Sequence, residues 1–219
     1  MTDELVFYTN PMSRGRIVRW MLEEIGCPYR TEVLDYGPAM KSPGYRAVNP
    51  MGKVPAIRHG GTVVTEAAAV CAYLADAFPE AGLSPPPGDH RRGPYYRWMF
   101  FAAGPMEAAV TNKALGFAVP EGREGMAGHG SFADVMDALE VAVSGGGYAA
   151  GDAFTAADVY LGSQIGWGLA FGTIEKRPAF ERYWERIGAR PAALRAKAID
   201  DALLAEQRQR QQQQAPPAR

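Results

Sequence analysis

The chain has 219 residues, 47% of them hydrophobic and 21% charged, with a formal net charge of −1 at pH 7. That is room for one large domain or two modest ones, and a charge so near zero gives no electrostatic reason to expect a nucleic acid or an anionic membrane as partner. No apolar run approaches the roughly 20 residues that span a bilayer, and the acidic start at Met1–Glu4 lacks the features of a signal peptide, so the expected location is the cytoplasm.

The elements follow in chain order. Leu5–Thr9 is short, apolar and β-prone, and it stops at Asn10-Pro11. From Ser13 the period becomes helical. Ile17, Trp20, Met21 and Ile25 share a face, with Arg14, Arg16, Arg19 and Glu23 mostly on others, until Gly26 and Pro28 end the run. Tyr29–Leu34 alternates as a second strand, and the loop from Tyr36 to Lys53 has room for a short helix. Val54–Arg58 and Thr62–Thr65 form a hairpin across His59-Gly60-Gly61. A helix starts at Glu66, with Ala67, Val70, Cys71, Leu74 and Phe78 along one face. The order βαβ-ββα predicts a thioredoxin-like domain over residues 1–80.

Residues 81–89 include Pro85-Pro86-Pro87-Gly88 and read as a proline-stiffened linker. Beyond it the strand signals vanish. Tyr95–Ala114, kinked at Gly104-Pro105, then Phe132–Val143, Ala156–Phe171 and Ala179–Ile187 read as helices, which makes 90–206 an all-helical bundle domain. Gln207–Arg219 is Gln- and Arg-rich with little to bury, so 207–219 is expected to be a disordered tail. The fold class is therefore α/β plus all-α.

Only Cys27 and Cys71 are present, without Cys-x-x-Cys spacing, and His59, His90 and His129 are scattered. Neither a disulfide framework nor a metal site is expected.

Three stretches could carry chemistry, and each also has a purely structural reading. Tyr8-Thr9-Asn10-Pro11-Met12-Ser13-Arg14 is a strand-to-helix junction. Unpaired N–H groups and the helix dipole welcome an anion there, and a hydroxyl can donate to a thiolate, whose ordinary pKa is about 8.5. Equally, Ser13 can be an N-cap. Asn49-Pro50-Met51-Gly52-Lys53-Val54-Pro55 places a proline at the start of a strand, a candidate for a cis bond, although trans is the common case. In Val64-Thr65-Glu66-Ala67 a carboxylate at a helix start can accept an α-amino group or simply complement the dipole. In the helical half, Thr155 to Asp158 reads as a structural capping box. Tyr95, Tyr96, Trp98, Met99, Phe100, Phe101 and Met106 leave one helix apolar nearly all round, so part of it should meet a partner surface or a pocket.

Together these stretches resemble the glutathione transferase superfamily over all but the tail, most nearly its bacterial serine-type branch. The resemblance rests on Ser13 through Leu22-Glu23-Glu24-Ile25-Gly26, the unbroken Asn49–Pro55 element, Glu66-Ala67, the box at Thr155–Asp158 and Arg190-Pro191-Ala192. Ala67 departs from the family's usual serine after the glutamate. The resemblance implies glutathione as co-substrate. Val54, with Pro55 cis, would pair with its cysteinyl backbone; Glu66 would take the γ-glutamyl ammonium, the N–H of Ala67 its carboxylate, and Lys53 the glycyl carboxylate. The thiol would be activated by Ser13 or by Asn10, depending on whether the helix or the turn anchors the alignment. A small hydrophobic electrophile would sit among Met12, Tyr95, Trp98, Phe101 and Trp167. The implied protein is a homodimeric detoxification enzyme. Glutathione-dependent disulfide or peroxide reduction, or non-catalytic binding on the same fold, are the alternatives.

Overall fold

The structure is a computed structural model that describes residues 4–214. Two compact units emerge: the chain up to Val70 together with the segment from Pro191 onward, and Cys71–Arg190.

The first unit is built on a four-stranded sheet in the order β2-β1-β3-β4, from β1 (Leu5–Thr9), β2 (Arg30–Val33), β3 (Ala56–His59) and β4 (Thr62–Thr65). β1 runs parallel to β2 and antiparallel to β3, which pairs antiparallel with β4. The crossover between β1 and β2 is α1 (Gly15–Ile25), which ends where Gly26 takes a left-handed turn (φ 73) and donates its N–H to the Leu22 carbonyl. Ile17, Val18, Trp20, Met21 and Leu22 bury its inner side, each such side chain contributing about 1.5–3 kcal/mol. The expected loop between β2 and β3 holds two single-turn helices, α2 (Pro38–Lys41) and α3 (Pro43–Arg46), each opened by a proline at its first position. Helix α4 (Ala67–Ala77) follows β4.

Two expectations are corrected in this unit. Arg19, expected on an outer face, is only 2% exposed. The expected tail is helical as far as the structure describes it: α10 (Pro191–Gln214) is the longest helix among the described residues and packs on α1. Pro191 suits a first helical position, and the Ala, Leu, Lys, Arg and Gln that follow are strong helix formers. Gln207 is buried at 6% exposure and donates to Asp35 at 3.0 Å. Pro191 of the Arg190-Pro191-Ala192 element therefore opens a major helix, and the chain from Pro191 onward groups with the first unit. Residues 215–219 of the expected tail lie outside the described residues.

The second unit is helical. It contains α5 (Arg92–Phe101), a π-turn over Ala102–Met106 that absorbs Gly104-Pro105, α6 (Glu107–Ala114), α7 (Phe132–Val143), α8 (Ala156–Phe171) and α9 (Pro178–Gly188). Buried along most of its length, α8 packs on both α5 and α9. A Cβ on Gly162 would stand 2.0 Å from Ile187 Cδ1, so the bare backbone there permits the close approach of α9. Capping boxes start α7 at Ser131–Asp134 and α8 at Thr155–Asp158, the latter as expected. No helix among the described residues is long and apolar enough to cross a membrane.

Candidate functional site

Strand register brings the three chemistry-bearing stretches together. Glu32, Tyr8, Ala56 and Thr65 form one row across the sheet. Immediately beyond that row lie the Asn10–Ser13 turn after β1, Val54-Pro55 before β3 and Glu66-Ala67 after β4. Segments far apart in sequence thus share one end of one sheet. No periodicity in the chain announces this, because it depends on β1 lying between β2 and β3.

The turn is tightly bonded. Ser13 donates its backbone N–H to the Asn10 carbonyl at 3.0 Å and its hydroxyl to the same oxygen at 2.7 Å, while its Oγ accepts the Gly15 N–H at 2.9 Å. Ser13 is half-buried and lies one residue before Arg14, the N-cap of α1, so its bond to the Gly15 N–H shapes the turn rather than capping the helix. Its hydroxyl proton can nevertheless turn toward a ligand without orphaning Asn10, because that carbonyl keeps the Ser13 N–H. Asn10 is more committed. It is 2% exposed, donates Nδ2 to the Leu34 carbonyl at 2.8 Å and accepts the Met12 N–H at 2.9 Å. Both ends of its amide hold the turn in shape.

The Asn49–Pro55 loop is held by its own Asn49 and by two side chains that the sequence did not mark, Tyr45 and Lys41. Asn49 Nδ2 and the Tyr45 hydroxyl each donate to the Lys53 carbonyl at 2.7 Å. Lys41 Nζ donates to the carbonyls of Met51 and Gly52, both at 2.9 Å. Burial pushes the Tyr45 phenol up to about 12, so it remains a donor. Gly52 adopts φ 57, and a Cβ there would meet the Met40 carbonyl at 2.5 Å. The Val54-Pro55 bond is cis, the less common of the two forms weighed from the sequence. Val54 is half-buried and Lys53 exposed.

Glu66 is the only described non-glycine residue with a positive φ, at 66°. That conformation costs about 1–3 kcal/mol and is an outlier of the kind that clusters at binding sites. It lets the Glu66 carbonyl accept the Val70 N–H at 2.8 Å and start α4, while the residue itself stays exposed. Ala67 is 8% exposed.

The expected electrophile contacts separate. Tyr95 at 0% and Trp98 at 5% exposure are buried on α5 within the helical unit. Phe101 and Trp167 are half-buried, and Met12 is 61% exposed. Cys71 is fully buried, and burial raises its thiol well above the ordinary value, so it offers no nucleophile.

Comparison with known proteins adds to this geometry. The family model "Glutathione S-transferase, N-terminal domain" matches residues 12–77, and "Glutathione S-transferase, C-terminal domain" matches residues 119–191. Glutathione S-transferase 3 of Zea mays is 27% identical over 201 residues, covering 86% of this chain and 90% of that one. A Sphingobium protein, LigF, is 51% identical over 45 residues, which are 20% of this chain and 18% of that protein. Among solved structures, a sphingomonad glutathione S-transferase complexed with glutathione superposes with a TM-score of 0.72 at 27% identity, covering 90% of this chain and 98% of that one.

Proposed function

Because the chain belongs to the glutathione S-transferase superfamily, we propose that it binds glutathione at this end of the sheet and adds the thiolate to a small hydrophobic electrophile. The observation that carries the reading is the convergence of the Ser13 turn, Val54-Pro55 and Glu66-Ala67 beyond one row of the sheet. The backbone of Val54 pairs with the cysteinyl unit, Glu66 takes the ammonium group, and the N–H of Ala67 takes the γ-glutamyl carboxylate. Lys53 takes the glycyl carboxylate, and Ser13 donates to the sulfur. Asn10 builds the turn rather than serving the thiol. Met12, exposed beside the thiol turn, is the apolar group assigned to the electrophile. Neither reductase chemistry through the protein nor a purely binding role gains an observation: Cys71 is sealed in the core, and Cys27 follows α1 at the end remote from the thiol turn. A second copy of the chain as partner, a cytoplasmic location and a role in detoxification complete the proposal.

Ser13→Ala should raise the pKa of bound glutathione by about 1–2 units and lower kcat/KM toward an aryl halide about 10–100-fold at neutral pH. The check is ultraviolet titration of the bound thiolate beside the rate. An unchanged pKa would remove Ser13 from the role, and the absence of any glutathione-dependent rate in wild type, across several electrophile classes, would overturn transfer itself.

Glu66→Gly separates ligand binding from backbone conformation. The variant loses a charge-assisted contact worth about 1.5–3 kcal/mol, so the glutathione Kd should rise roughly 10–100-fold. Glycine takes the positive φ without the strain that glutamate bears there, at an entropic cost of about 0.5–1 kcal/mol, so stability should equal or exceed that of wild type. Calorimetry and urea denaturation on one preparation decide this. An unchanged Kd would take Glu66 out of the site.

A further inference from the structure

We propose that Arg16 is a positioning residue for thiol activation, set in place by Asp201 on α10. The inference rests on the reading of the Asn10–Ser13 turn as the thiol site. Arg16 reaches in two directions. Its Nε donates to the Pro11 carbonyl at 2.5 Å, inside that turn, and its Nη1 donates to Asp201 Oδ1 at 2.8 Å. Asp201 is itself fixed by Lys197, one turn earlier on α10, whose Nζ donates to Oδ2 at 2.6 Å. A planar guanidinium bonded at both ends is held in one orientation, so the acceptor on α10 fixes the donor on the turn.

The pairing is also specific in register. Asp200 and Asp201 are consecutive on α10 and divide between two arginines one turn apart on α1. Asp200 points inward to Arg19 and Asp201 outward to Arg16. The inner pair fixes how α10 lies on α1, and that placement presents Asp201 to Arg16. Farther along α1, Arg195 donates to Glu23, in the last turn of the helix and away from the site. This third link between the same helices provides an internal control.

The test compares Asp201→Asn, Arg16→Met and the control Arg195→Met with wild type, using amide hydrogen exchange over residues 10–16 and ultraviolet titration of bound glutathione. Loss of a partly exposed ion pair sets the scale at about fivefold. Asp201→Asn and Arg16→Met should speed exchange in the turn about that much and raise the thiol pKa by about half a unit, with the glutathione Kd changed less than twofold. Asp201→Glu should restore both readouts, and Arg195→Met should leave both alone while lowering the melting temperature. If the two site variants lose melting temperature as the control does, with exchange and pKa unmoved, Arg16 is merely structural and the proposal falls. If wild type shows no lowered thiol pKa, the proposed function fails instead. The exchange rate of the turn, which needs no ligand, then still decides whether Asp201 holds it.

Discussion

Asp158→Ala is expected to cost about 4–6 kcal/mol, enough to leave most of the helical unit unfolded. Asp158 is 0% exposed and accepts four hydrogen bonds: from the N–H of Ala149 at 2.7 Å, the N–H of Thr155 at 2.8 Å, the Thr155 hydroxyl at 3.1 Å and the Tyr183 hydroxyl at 2.6 Å. One carboxylate thus caps α8, pins the loop before it and ties in α9. Alanine would remove the cap and leave four donor groups without this acceptor, each costing about 1–3 kcal/mol if left unmade. Asp158→Asn keeps one acceptor oxygen and should lose less, about 1–3 kcal/mol.

The pH dependence separates the two contributions to this effect. Burial raises the Asp158 pKa, and the bonds from Tyr183, Ala149 and Thr155 oppose it without winning. A carboxyl whose folded pKa lies above its unfolded value binds its proton more tightly when folded. Its contribution is therefore full below the unfolded pKa and is lost as pH rises through the folded one, the reverse of an exposed salt-bridged carboxylate. Urea denaturation between pH 4 and pH 7 should show this fall in wild type and not in Asp158→Asn. A stability loss below 1 kcal/mol for the alanine variant would mean that the four bonds are replaced by water.

Local pattern reveals a good deal of this molecule, and pairing at a distance reveals little. The helices at Phe132–Val143 and Ala156–Phe171 and the strand Thr62–Thr65 occur with the bounds expected from periodicity and caps. The capping box at Thr155 to Asp158 is equally local. What the sequence conceals is whatever a partner decides. Arg19 looks like a surface residue until α10 supplies Asp200. Gln207 looks like a tail until Asp35 accepts its amide. Lys41 and Tyr45 sit on single-turn helices with no motif around them, yet their donors shape the Asn49–Pro55 loop. Candidate site residues were visible as three separate stretches, while their meeting depended on strand order.

Arg19→Met alone is expected to destabilise the sheet-bearing unit by about 3–5 kcal/mol, the usual cost of leaving one member of a buried ion pair behind. Arg19 donates Nε to Asp200 at 3.3 Å and Nη1 to Tyr29 and Thr31 at 3.1 and 2.8 Å, and it lies over the rings of Phe7 and Tyr29. Asp200 is 1% exposed. The pair is under-satisfied, since Arg19 Nη2 and Asp200 Oδ2 have no hydrogen-bond partner among the described residues. Burial raises the Asp200 pKa, with Arg19 and then Arg16 opposing. Removing Arg19 should raise it further, so the single variant should lose stability more steeply than wild type as pH climbs from 5 to 8. The double variant Arg19→Met/Asp200→Leu discards both desolvation penalties and keeps apolar volume beside Phe7. It should return to within about 1 kcal/mol of wild type or exceed it. Urea denaturation of the four proteins closes the cycle. If the double variant is as unstable as the single one, the buried charges are holding α10 on α1 through geometry that packing cannot replace. If it recovers, apolar packing alone suffices to dock the helix, and the contact through Arg16 is then left to link α10 to the thiol turn.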